Sequence, residues 1–125
     1  MKKKPLKMLI VDDSNVIRRK IERSHDNSKF NVVDTAGSGV EAIEKFIALR
    51  PQVVTMDLTM PHMDGIECIS RLIGLDENIR ILVISALSDK ATGIEALECG
   101  AQGFLCKPFD DERLTMALSE LIEDL

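Results

Sequence analysis

The chain has 125 residues, 45% of them hydrophobic, which fits a single domain over 1–125 with one packed core and excludes a disordered tail. Its net charge of −5 at pH 7 argues against direct nucleic-acid binding, because phosphate backbones need Lys and Arg to displace their counterions. Cys68, Cys99 and Cys106 form neither a disulfide framework nor a zinc pattern, so reduced, mostly buried thiols in a cytoplasmic protein are expected.

In chain order, Lys2, Lys3 and Lys4 read as a solvated tail. The apolar run Met8-Leu9-Ile10-Val11 stops at Asp12-Asp13, too short for a signal-peptide core, and no stretch approaches a membrane span. Without alternation, that run reads as a parallel strand buried on both faces. After Ser14, Arg18, Arg19 and Lys20 leave a helix only a narrow stripe through Ile17 and Ile21. Asn31-Val32-Val33-Asp34-Thr35 is mixed and reads as an edge strand. Val40, Ile43, Phe46 and Ile47 make a helical stripe, with Glu41 and Lys45 one turn apart on the exposed side. Val53-Val54-Thr55-Met56 is a second buried strand. Ile66, Ile69, Leu72 and Ile73 form the next helix, capped by Asp64 with Glu67 three residues on. Ile81-Leu82-Val83-Ile84 is the strongest strand, and Gly93 weakens the helix after Ser88. Gly103-Phe104-Leu105-Cys106 is a second mixed strand. Leu114, Leu118 and Leu121 make the last helix, behind Asp110, Asp111 and Glu112, which suit a helix N-terminus.

Strands and helices in strict alternation predict an α/β fold, a doubly wound (βα)5 parallel sheet with helices on both faces. With the mixed strands at the edges, the order is 2-1-3-4-5, as in flavodoxin-like folds. The ends of the strands then carry the chemistry. The first ends in Asp12-Asp13, the third in Asp57, the fourth in Ser85 and the fifth in Lys107-Pro108. The crevice between the first and third strands is the expected ligand site, where Asp12, Asp13 and Asp57 converge. Three close carboxylates repel, and a hard divalent cation such as Mg2+ relieves that repulsion. With the charge of Lys107 and the hydroxyl of Ser85, the set contains the parts of phosphoryl transfer. Singly, each residue reads as a helix cap, a turn residue or a surface charge; their joint placement on one sheet edge is what points to function.

Those residues carry a family resemblance. Ile10-Val11-Asp12-Asp13-Ser14, Met56-Asp57-Leu58-Thr59-Met60-Pro61-His62-Met63-Asp64-Gly65, Ser85-Ala86 and Lys107-Pro108-Phe109 occur in that order. Together they make the chain resemble response-regulator receiver domains of two-component pathways, of the single-domain chemotaxis type, over roughly Lys7 to Ile122. The resemblance implies that a histidine kinase phosphorylates Asp57. It implies that Asp13, Asp57 and the backbone carbonyl of Thr59 bind magnesium, with Asp12 assisting through water. Ser85 and Lys107 would hold the phosphoryl oxygens, and the Lys107–Pro108 peptide would be cis. Phe104 stands at the switch-aromatic position, where chemotaxis members often carry Tyr; it would respond with Ser85, or simply pack in the core. The output partner would meet the face of the last two helices and last strand, with Lys90, Glu95, Glu98 and Met116 as contributors. Leu87 and Thr59 would set the lifetime of the phosphoryl group.

The implied molecule is a monomeric phospho-acceptor, not an enzyme in the ordinary sense, in chemotaxis or a phosphorelay. Other readings are a receiver belonging to a larger regulator, a flavodoxin-like electron carrier and an aspartate-nucleophile phosphohydrolase. The electron carrier lacks a phosphate-cradling loop and stacking aromatics, and Asp57-Leu58-Thr59 lacks the hydrolase's second acid. Gly37-Ser38-Gly39 is a weak glycine pair away from the crevice, His25 and His62 read as surface residues, and Met60 and Met63 as packing ones.

Overall fold

The computed structural model describes residues 4–60, 63–86 and 90–125. Its elements alternate throughout: β1 (Leu6–Val11), α1 (Asn15–Ser24), β2 (Phe30–Ala36), α2 (Gly39–Leu49), β3 (Val53–Met56), α3 (Gly65–Leu75), β4 (Arg80–Ala86), α4 (Lys90–Glu98), β5 (Gly103–Lys107) and α5 (Asp111–Leu121). The strands form one parallel sheet in the expected order, β2-β1-β3-β4-β5.

Period-two alternation divides the strand residues between two cores. Leu9, Val11, Val54, Met56, Ile81 and Val83 face α2, α3 and α4. Met8, Ile10, Val53, Leu82 and Ile84 face α1 and α5. The continuous apolar runs arise because both sheet faces are covered. Four helices begin at polar caps. Ser14 Oγ accepts from the Ile17 N–H at 3.3 Å, Ser38 Oγ from Glu41 at 3.2 Å, and Asp64 and Asp110 from Glu67 and Arg113 at 2.8 Å each. Ser14, not the acidic pair before it, therefore starts α1.

At the outer edge, the β1–β2 register shifts between Met8 and Leu9, with Val33 as the extra residue. Lys45 lies 3.2 Å from Asp34 and 2.9 Å from Glu41 and donates to the Thr35 carbonyl, which blunts this edge.

Three expectations need correction. Of the expected α2 stripe, Phe46 is buried and Ile43 half-buried, but Val40 and Ile47 are 48% and 50% exposed, and Gly39 and Ala42 are buried in their place. The cause is close approach: a Cβ on Gly39 would stand 2.9 Å from Met63, so the helix meets its neighbour through its smallest residue and its stripe is rotated. The thiols are free, but only Cys68 is buried; Cys99, at the end of α4, and Cys106, on an edge strand, are half-buried. His25 is half-buried, with Nδ1 3.1 Å from the Ile21 carbonyl at the end of α1. Met60 and Met63 do pack in the core, while Lys2, Lys3 and His62 lie outside the described residues.

Candidate functional site

The ladder hydrogen bonds run just past the ends of the two central strands. The Asp57 N–H donates to the Val11 carbonyl at 2.9 Å, and the Asp12 N–H to the Ala36 carbonyl at 3.0 Å. This places Asp12, Asp13 and Asp57 together, with one carboxylate oxygen of each within 4.8 Å of the others. Asp12 and Asp57 are buried, at 1% and 5% exposure, whereas Asp13 is open to solvent. The α3 N-terminus sits unusually near: the Gly65 N–H donates to the Leu58 carbonyl at 3.0 Å, and a Cβ there would stand 2.6 Å from the Asp57 carbonyl oxygen.

Asp12 is a hub. Its Oδ1 accepts the Ser14 N–H at 2.9 Å, and its Oδ2 accepts Lys107 Nζ at 2.9 Å; the same Nζ is 3.6 Å from Asp57 Oδ1. Burial, then the charge of Asp12, pushes the Asp57 carboxyl up to about 6, against the pull of Lys107 and the Thr59 N–H. Burial alone would lower the Lys107 pKa, but its hydrogen bond to Asp12 and the charges of Asp12 and Asp57 together raise it. An all-oxygen, partly open donor set whose repulsion Lys107 offsets only in part fits a hard cation. No metal-binding cluster besides these three carboxylates occurs among the described residues.

The remaining predicted residues border this group. Ser85 is buried at the end of β4, where Ala86 pairs in register with Lys107. The Lys107–Pro108 peptide is cis, as expected. Thr59 is exposed in the loop after Asp57, its N–H 3.4 Å from Asp57 Oδ1. Leu87 lies outside the described residues. Phe104 is half-buried, its ring against Gly93 of α4; a Cβ on that glycine would stand 2.4 Å from Phe104 Cε2. Gly93, Ile94, Leu97, Phe104 and Cys106 line an open apolar groove of about 330 Å³. Lys90, Glu95, Glu98 and Met116 are exposed on α4 and α5 as anticipated, but Ile94 and Leu97, 59% and 43% exposed, were not foreseen. The α4 sequence has too little amphipathic contrast for its outward apolar residues to stand out.

Arg18 is a further residue that sequence reasoning passed over. It donates to the Asp12 carbonyl and to Asn15 Oδ1, and so braces the loop after β1.

Comparison with known proteins agrees with this geometry. Residues 8–119 match the response regulator receiver domain family. The chain is 39% identical over 115 residues to the chemotaxis protein CheY of Thermotoga maritima, covering 92% of this chain and 96% of that protein. It is 42% identical over 110 residues to a protein-glutamate methylesterase/protein-glutamine glutaminase of Vibrio cholerae, covering 85% of this chain but only 29% of that protein. Among solved structures, it superimposes on CheY in the CheX–CheY–BeF3–Mg complex of Borrelia burgdorferi with a TM-score of 0.87 at 35% identity, covering 94% of this chain and 89% of that one.

Proposed function

The chain belongs to the response regulator receiver domain family, and from that premise we propose that Asp57 accepts a phosphoryl group from a histidine kinase and that this resets the α4–β5–α5 face. The observation that carries the reading is the convergence of Asp12, Asp13, Asp57 and Lys107 at the ends of β1, β3 and β5. An Asp57 carboxylate oxygen attacks the phosphorus of the phosphohistidine; the new P–O bond forms as the P–N bond breaks, and the imidazole leaves with the bonding pair. With its pKa near 6, Asp57 is mostly ionised at neutral pH, as a nucleophile must be. Asp13, Asp57 and the Thr59 carbonyl would hold magnesium, with Asp12 assisting; the ion supplies charge neutralisation for the carboxylates and the phosphoryl oxygens. Lys107, already between Asp12 and Asp57, pairs with a phosphoryl oxygen, and Ser85 donates its hydroxyl to another.

Ser85 and Phe104 then couple the site to the α4–β5 groove. Drawing Ser85 toward the phosphoryl group frees space into which the half-buried Phe104 can turn. An output protein reads the result on that face; that such chains take protein partners is supported by the Borrelia structure, in which CheY is found with CheX. The chain works as a monomer in the cytoplasm, in chemotaxis or a phosphorelay, and assists its own phosphorylation and dephosphorylation without other enzymatic turnover. No helix among the described residues is long and apolar enough to cross a membrane.

The test is intact mass after incubation with acetyl phosphate, with magnesium or with a chelator. Wild type should gain one phosphoryl group only with magnesium, and Asp57→Asn should gain none. Equal labelling of Asp57→Asn would refute the assignment.

A further inference from the structure

The basic residues of α1 enter the sequence only as charges that narrow its apolar stripe, yet one of them reaches across the fold. The half-buried Lys20 donates its ammonium to the backbone carbonyl of Phe109 and lies 4.4 Å from the centroid of the Phe109 ring. One cation thus holds both a main-chain oxygen and a ring face of the same residue, which fixes its position and its rotation. Phe109 is itself buried, packed in the core that α5 shares with the sheet. It stands two residues after Lys107, whose ammonium bridges Asp12 and Asp57.

We propose that Lys20 is a positioning residue for Lys107, pinning the β5–α5 connection so that the Lys107 ammonium stays aimed between Asp12 and Asp57. The inference rests on the reading of Asp57 as phosphoryl acceptor. It differs from a plain tether between α1 and α5, which would affect stability alone. Asp12 and Asp57 are held by main-chain bonds of their own strands, β1 and β3, and the Asp12 carbonyl by Arg18, none of which involves Lys20 or Phe109. Loss of Lys20 should therefore disturb the Lys107 half of the site and spare the metal half.

Lys20→Met keeps the apolar stem and removes the ammonium, while Lys20→Arg keeps a cation able to make both contacts. Phosphorylation rate with phosphoramidate at saturating magnesium, magnesium affinity from backbone amide shifts, and thermal midpoint should be measured for each variant. Lys20→Met should slow phosphorylation by about tenfold while leaving magnesium affinity unchanged, and Lys20→Arg should restore the rate. In a Lys107→Ala background, Lys20→Met should cause no further loss, because a residue acting through Lys107 has nothing left to position. An unchanged rate, an equal loss in both backgrounds, or a joint fall in rate and magnesium affinity would each overturn the proposal. Wild type that accepts no phosphoryl group would overturn the Asp57 reading with it, and that is seen before any variant is made.

Discussion

At the scale of single residues, Asp57 carries a cost that its pH dependence should expose. Its carboxyl titrates near 6 in the folded chain against an ordinary 3.8. The folded state therefore holds this proton more tightly than the unfolded state does, and stability of the metal-free protein falls as pH rises from about 4 to about 6. Above that window the penalty is fully present. Asp57→Asn removes the charge, so it should stabilise the metal-free protein by about 1 to 3 kcal/mol at neutral pH, with the gain fading toward about pH 4; urea unfolding at the two pH values measures it. Thr55 makes a second case. Its Oγ1 is buried in the central strand with no hydrogen-bond partner among the described residues. Thr55→Val replaces that hydroxyl with a methyl of similar shape and should raise stability by about 1 kcal/mol, read as a higher urea midpoint at unchanged slope.

At the scale of elements, α4 is where packing and signalling meet. Its Gly93 lets the Phe104 ring lie against the helix backbone. Gly93→Ala improves helix propensity by roughly 1 kcal/mol, but the new Cβ would collide with the ring. Net destabilisation by about 1 to 3 kcal/mol is expected, with a displaced Phe104 visible in its ring proton shifts; an unmoved ring would argue against the close packing. The strand order and the carboxylate cluster were legible in the sequence because each central strand is an apolar run, interrupted only by Thr55, that stops at a polar residue. The exposure of Val40 and Ile47 on α2 was not, because the approach of Gly39 to Met63 turns the buried face, which still holds Phe46, toward Gly39 and Ala42, and no periodicity records that. Lys20 on Phe109 was invisible for a different reason: the two are 89 residues apart, and only the crossover of α1 and α5 behind the sheet brings them together.

At the scale of the whole molecule, phosphorylation and cation binding should both act on stability through one site. A ligand that binds only the folded state stabilises it in proportion to the logarithm of one plus the ratio of its free concentration to Kd, about 2.7 kcal/mol at a hundredfold excess over Kd. Magnesium should raise the thermal midpoint of wild type and leave that of Asp13→Asn nearly unchanged; an equal rise in both would place the ion elsewhere. The acidic cluster thus connects fold and function: repulsion among its carboxylates costs stability without the cation and recruits it when present.

The central claim is that the phosphoryl group resides on the carboxylate of Asp57, and chemical trapping reads that position directly. An aspartyl phosphate is an acyl phosphate, which borohydride reduces to the alcohol, so a phosphorylated aspartate becomes homoserine. The protein should be phosphorylated with magnesium present, reduced, digested and sequenced by tandem mass spectrometry. The account predicts homoserine at position 57 and none at positions 12 or 13. Homoserine at either of those positions, or a phosphoryl group that survives reduction on the Ser85 hydroxyl, would contradict it.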